Sequence, residues 1–218
     1  MVYAHDGQNL FDPAAIWGGW QLQSSVPAGM MVVGIDNTIR RMDEYTHVSD
    51  DIGGGLVGGL GDAYADYVEI VVRPVIQNRY GEPDKRALLG SSLGGLISLH
   101  IADRYPDTYL MTASMSGTVG WGSLGLQEQT IIERYAAAGP RPTVVFLDSG
   151  GNGPCIDTDG DGLQDDDPAA RDNYCENAQF RDALIGVGYT IGVDLHHWYE
   201  PNAPHNEAAW AARVWRPL

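Results

Sequence analysis

A serine set between glycines, at Gly90-Ser91-Ser92-Leu93-Gly94, has the spacing of a nucleophile elbow, where the chain reverses from strand to helix within a few residues. Such a turn needs glycine where backbones approach too closely for a Cβ, and it leaves the Ser92 hydroxyl exposed above a sheet. The chemistry this permits is attack on a carbonyl carbon through an acyl-serine intermediate. Leu93, first in the following helix, would aim its N–H at the reacting carbonyl beside the positive helix N-terminus. Three small residues in five positions recur by chance, so the flanks carry the argument. Apolar Ala87-Leu88-Leu89 precedes the serine, and an amphipathic helical run with Leu96, Leu99 and His100 follows, stopped by Arg104-Tyr105-Pro106.

A serine needs a base. His196 and His197 fall at the end of a strand-like run, where packed or exposed histidines are common. His205, in Pro204-His205-Asn206-Glu207, sits in a loop after the last strand and at the head of the final helix, the end of a parallel sheet where chemistry collects. His205 is the chosen base, with a solvated loop histidine as the bland reading. The acid is expected between serine and histidine, after a strand. Val144-Val145-Phe146-Leu147-Asp148 is that strand, and many aspartates follow it. Asp172 is the choice because Asp172-Asn173-Tyr174 opens a helix; Asp148 reads as a structural residue at the strand end. The second oxyanion donor is expected in His5-Asp6-Gly7-Gln8-Asn9, after the first strand, with the Gln8 N–H complementing that of Leu93.

Strand-like runs at 2–5, 31–35, 87–90, 110–115, 143–148 and 190–196 alternate with helix-like runs at 62–80, 93–105, 126–137, 173–187 and 205–214. That alternation predicts an α/β fold, a mostly parallel sheet with helices on both faces. Pro74 should kink the first helix. The glycine-rich stretch 53–61 lacks the Lys and Ser/Thr of a phosphate loop and reads as a mobile loop near the site mouth or a plain surface connection. At 218 residues with 44% hydrophobic content, the chain is expected to form one domain over 1–218, with an acidic insertion at about 149–171. A net charge of −16, with Lys85 the sole lysine, makes nucleic acid and anionic membrane surfaces poor partners. No apolar run is long enough to span a membrane, and no signal peptide is present.

The acidic insertion has its own pattern. Asp157-Thr158-Asp159-Gly160-Asp161-Gly162 sets carboxylates at alternate positions before a glycine, as in the first half of a calcium loop, and Asp165, Asp166 or Asp167 could add ligands. Pro168 stands where a bidentate glutamate would complete an EF-hand. A structural calcium ion held by Asp157, Asp159, Asp161, Asp165 and Asp167 is the expectation, against a solvated acidic loop; no cofactor is expected for catalysis. Cys155 and Cys175 bracket the loop, which favours a disulfide over free thiols, and so a secreted or periplasmic protein.

Several of these segments together resemble a known family. Tyr3-Ala4-His5-Asp6-Gly7-Gln8-Asn9-Leu10-Phe11-Asp12, Val33-Gly34-Ile35-Asp36-Asn37 with Arg41 and Glu44-Tyr45, Gly90-Ser91-Ser92-Leu93-Gly94-Gly95, Tyr105-Pro106, and His205-Asn206-Glu207 with Trp210 are similar to the Putative esterase family of α/β-hydrolases. That family includes enterochelin-esterase-like and feruloyl-esterase-like enzymes, with mycolyltransferases as more distant relatives. The resemblance implies Ser92 as nucleophile, His205 as base and an oxyanion hole at Gln8 and Leu93. The usual first strands of the family are lacking before Val2, which would leave a sheet edge open to homo-oligomerisation. The insertion before Asp172 is the second departure. The expected activity is hydrolysis of a small-molecule or carbohydrate- or polymer-linked carboxylic ester. Its rivals are acyl transfer to an alcohol, and a non-catalytic calcium-dependent binding module. Trp17, Trp20, Trp121 and Trp198 read either as lining for an aromatic or sugar substrate or, more simply, as core.

Overall fold

The computed structural model describes residues 1–165 and 172–218. The chain runs through β1 (Val2–His5), β2 (Val32–Ile35), α1 (Arg41–Glu44), β3 (Ser49–Asp51), β4 (Leu56–Gly58), α2 (Gly61–Tyr67), α3 (Arg73–Tyr80), β5 (Ala87–Ser91) and α4 (Leu93–Arg104). It continues through β6 (Met111–Met115), α5 (Ile131–Ala138), β7 (Val144–Ser149), α6 (Tyr174–Gly186), β8 (Leu195–Tyr199) and α7 (Glu207–Arg213). Six strands form one parallel sheet in the order β2-β1-β5-β6-β7-β8. This is an α/β-hydrolase-like fold.

Strand alternation sends neighbouring residues to opposite faces, and both faces are covered. Tyr3, Leu88, Val145 and Leu147 join one core with Leu96, Leu99, Tyr135 and Phe180, whereas Val2, Ala4, Leu89 and Phe146 join the other with Leu10, Leu22, Trp210 and Val214. The α4 helix is not amphipathic as its sequence led us to expect: every residue from Leu93 to Ala102 is buried. Ser98 Oγ donates to Gly94 O at 2.8 Å, and His100 Nε2 reaches Asp62 Oδ1 at the surface at 2.9 Å.

Other elements depart from the sequence reading for local reasons. The helical run through Pro74 continues by widening into a π turn at Val68–Val72, which makes room for a residue that brings a ring and no N–H. The run at 126–137 is helical only from Ile131, where Thr130 and Glu133 form a capping box; upstream, the buried Asp50 carboxylate gathers the N–H groups of Gly122, Leu124, Gly125 and Leu126. The last strand begins at Leu195 instead of Thr190, because the Thr190 N–H binds Asp194 Oδ1 at 2.6 Å and its carbonyl accepts from Val193 and Asp194, closing a turn. His196 and His197 therefore lie within β8, not at its end. The glycine-rich stretch supplies the turn of an antiparallel β3–β4 hairpin, then β4 itself and the start of α2, and does not line the cavity that holds Ser92.

Candidate active site

The turn from β5 to α4 places Ser92 at φ 56° and ψ −127°, a conformation that non-glycine residues rarely adopt and that lifts the side chain off the sheet. A Cβ on Gly90 would collide with the Gly94 backbone, so the glycine two residues before Ser92 is obligatory. The half-buried Ser92 opens onto a cavity of about 530 Å³ shared with His205, Gln8, Trp17, Arg41 and Glu207. Of the four tryptophans considered from sequence, only Trp17 lines this cavity. Trp20 and Trp121 are core, and Trp198 stacks on the Arg216 guanidinium at 3.1 Å. Trp210, quoted above only for resemblance, also lines the cavity, and its ring meets that of His205 edge-on at 4.9 Å.

His205 Nδ1 lies 2.8 Å from Asp172 Oδ1. The carboxylate is fully buried and the imidazole 29% exposed, so one edge of the ring is fixed and the rest faces the cavity. Asp172 immediately precedes Asn173, whose left-handed conformation (φ 49°) turns the chain into α6. The other oxygen of Asp172 accepts from Ser116 Oγ at 2.9 Å and from the Gly150 N–H at the end of β7. Asp148, the strand-end alternative, does not touch the histidine. It forms a forked pair with buried Arg213 at 2.8 Å, and burial pushes its carboxyl up to about 6 against the pull of that guanidinium. His197, an alternative base, is held down to about 4 by burial, and neither it nor His196 lines the Ser92 cavity.

The loop after β1 is pinned from several sides. Asp6, in a left-handed conformation, receives Arg41 Nε and Nη2 at 2.7 and 2.8 Å and Asn37 Nδ2 at 2.6 Å. The Asn37 N–H holds Gln8 Oε1 at 3.1 Å. Gly7 is required by proximity: a Cβ there would stand 2.7 Å from the Gly34 carbonyl carbon and 2.8 Å from Ile35 N. Leu93, first in α4, has no preceding turn to accept its N–H. Asp6, Asn37 and Arg41 were visible in the sequence only as resemblance; a charged pair straddling two βα loops carries no local signal.

The model matching the chain from residue 1 to 216 is that of the family described as Putative esterase. The chain belongs to that family. Among curated relatives, this esterase-family chain is 30% identical over 125 residues to an uncharacterized Bacillus subtilis protein, YbbA, a match covering 54% of this chain and 49% of that protein. It is 34% identical over 68 residues to the siderophore triacetylfusarinine C esterase of Aspergillus fumigatus, covering 30% and 23% of the two chains. The enterobactin esterase of Shigella flexneri superposes with a TM-score of 0.66 at 17% identity over 99% of this chain and 50% of that one, a likeness of fold. The esterase-family chain thus spans about half the length of relatives it matches.

The Cys155–Cys175 disulfide is formed, with Cα atoms 5.2 Å apart. Within the loop it closes, carboxylate oxygens of Asp157, Asp159 and Asp165 lie within 4.8 Å of one another. Asp161 is not among them; its carboxylate accepts from Ser123 Oγ and from the Leu163 N–H. Asp167 lies outside the described residues. Among the described residues no helix is long and apolar enough to cross a membrane.

Proposed function

We propose that this protein hydrolyses carboxylic esters through an acyl-enzyme formed on Ser92. The observation that carries the reading is the 2.8 Å contact of His205 Nδ1 with buried Asp172, on a histidine that shares its cavity with the elbow serine. With Nδ1 donating to the carboxylate, Nε2 is the acceptor that takes the Ser92 proton as the hydroxyl attacks the ester carbonyl. Asp172 then stabilises the imidazolium, and the N–H groups of Gln8 and Leu93 receive the developing oxyanion. The imidazolium returns its proton to the leaving alkoxide. Water, deprotonated by the same histidine, attacks the acyl carbon, and Ser92 leaves with the proton.

Pinning of the Gln8 loop by Asp6, Arg41 and Asn37 supports this role, since an oxyanion donor is effective only when its direction is set beforehand. Esters of small molecules are the favoured substrates, in keeping with relatives named as a siderophore esterase and an enterobactin esterase. Exposed Ile16 and Trp17 offer an apolar rim for the acyl or alcohol group. Asp157, Asp159 and Asp165 are the residues that would hold a calcium ion, which prefers carboxylate oxygens and would neutralise a cluster of like charges. Its role is structural. The disulfide favours export to an oxidising compartment.

A panel of short-chain, long-chain and feruloyl esters, assayed with and without an alcohol acceptor, tests the function. Ester-dependent acid release that is lost in Ser92→Ala supports hydrolysis. Turnover only with the acceptor assigns the chemistry to acyl transfer, and no acylation at all removes the enzyme reading.

A further inference from the structure

Behind Asp172 lies a polar cluster that the reaction above does not use. Ser116, fully buried, begins the turn after β6 in a left-handed conformation (φ 48°). Its Oγ has three neighbours: Trp210 Nε1 at 3.0 Å, Arg213 Nη2 at 3.2 Å and Asp172 Oδ2 at 2.9 Å. An indole N–H and a guanidinium can only donate. The hydroxyl proton therefore has one acceptor among the three, the carboxylate oxygen facing away from His205. Arg213 also stands 3.6 Å from that oxygen, while Asp148 takes its fork in a bidentate pair.

We propose that Ser116, Arg213 and Asp148 are positioning residues for the triad acid: Ser116 fixes the far oxygen of Asp172, and the Arg213–Asp148 pair orients Ser116 and sets the charge that His205 feels. The inference rests on the proposed role of Asp172. It also accounts for how an acid delivered from beyond a long loop is seated as firmly as one on the strand itself. All four charged or polar groups are buried, at 3% exposure or less. Arg213 and Trp210 share α7, the helix that follows His205, so one short element bears on both partners of the hydrogen bond.

With Asp148 ionised, above about pH 6, the cluster of Asp148, Arg213 and Asp172 sums to one negative formal charge. Removing the charge of Asp148 leaves zero; removing that of Arg213 leaves two. Among the described residues, the other charges facing these groups are Arg216, near Asp148; Glu200, which lines a cavity with Arg213 and Arg216; and Glu207, which feels His205, Asp6 and Arg41. The test leaves all of these in place.

The experiment measures kcat, KM and the pH dependence of kcat/KM for Asp148→Asn, Arg213→Gln, the double variant and Ser116→Ala, each with its melting temperature. Asp148→Asn should move the acidic limb of the profile to lower pH and Arg213→Gln to higher pH, by roughly half a pH unit or more, with the double variant between them. Ser116→Ala should lower kcat roughly ten- to a hundredfold with KM little changed. If Arg213→Gln does not fold, the signed movement in Asp148→Asn decides. Lower melting temperatures with an unmoved acidic limb and unchanged kcat per folded molecule would overturn the proposal, leaving the cluster as packing alone. Asp172→Asn separates the two readings. If it retains turnover, the acid is misassigned; if it is inactive while the four variants keep the parent profile, only the positioning inference fails.

Discussion

Asp172 and His205 meet at 2.8 Å although the strand nearest the carboxylate, β7, ends at Ser149 and bears its own buried aspartate. Two carboxylates thus compete for one site at the end of a strand, and the outcome is decided by what each one faces. Asp148 faces a guanidinium and Asp172 an imidazole.

Loss of the nucleophile should be close to complete. Ser92→Ala is expected to lower kcat on the order of 10⁶-fold with the melting temperature retained, and His205→Ala to do comparable damage. His196→Ala and His197→Ala, both on β8, should leave most of the turnover. Steady-state kinetics on one ester checks all four, and an active, folded Ser92→Ala would refute the elbow assignment.

The two aspartates should separate in kind as well as degree. Asp172→Asn is expected to cost about 10⁴-fold in kcat, because an amide presents a donor where His205 Nδ1–H needs an acceptor. Asp148→Asn should cost far less in kcat, since the amide still offers Arg213 one oxygen. A larger kinetic loss in Asp148→Asn would transfer the acid to the strand.

Acid should unfold this protein through its histidines. Burial holds His5 and His47 down to about 4, whereas unfolded histidine titrates near the ordinary value of 6.5. Between those limits the unfolded chain binds more protons, so stability is full above pH 6.5 and falls as pH drops towards 4. A buried histidine shifted this far contributes on the order of 3 kcal/mol across that window. Asp148 works in the opposite sense, its raised carboxyl taking up a proton in the folded state first, and offsets part of the loss. His47→Gln keeps a donor for the Gln129 carbonyl and should reduce the proton uptake on unfolding at pH 5 by about one. Denaturant titrations at several pH values measure it; an unchanged slope would show that His47 does not contribute.

The acidic loop should answer to calcium and to reductant separately. Addition of calcium should raise the melting temperature by mass action if Asp157, Asp159 and Asp165 bind it, and chelator should reverse the gain. Reduction of Cys155–Cys175 should remove about 3 kcal/mol on the chain-entropy account of a loop this size. Calorimetry with calcium, with chelator and after reduction distinguishes the two. A melting temperature indifferent to calcium in both Asp159→Asn and the parent would leave the aspartates as a solvated turn.

What could be read without coordinates was what local chain geometry dictates. Gly90 and Gly94 around Ser92 announce a strand-to-helix reversal in five residues, and Asp172-Asn173 announces a helix start. Ser116 gave no such signal, because its part depends on the ends of β6 and β7 and on α7 arriving at one point. The same holds for Asp50, whose carboxylate organises a loop more than seventy residues away. Periodicity also misleads where burial is complete. His100 made α4 look two-faced, and it is buried, with Nε2 reaching out to Asp62. The start of β8 was misplaced for a comparable reason: Thr190, Ile191 and Val193 have the composition of a strand, and one aspartate, Asp194, folds them into a turn.

The chain leaves the sheet at Gly150 and is back beside it at Asp172, with the N–H of the first donating to the carboxylate of the second. Gly151 and Asn202 stitch the departure point to the His205 loop by backbone hydrogen bonds. The excursion between them therefore begins and ends at one place, so the seat of the acid is set by the ends of the loop. What lies further out is tied separately, by Cys155–Cys175 and by Ser123 donating to Asp161.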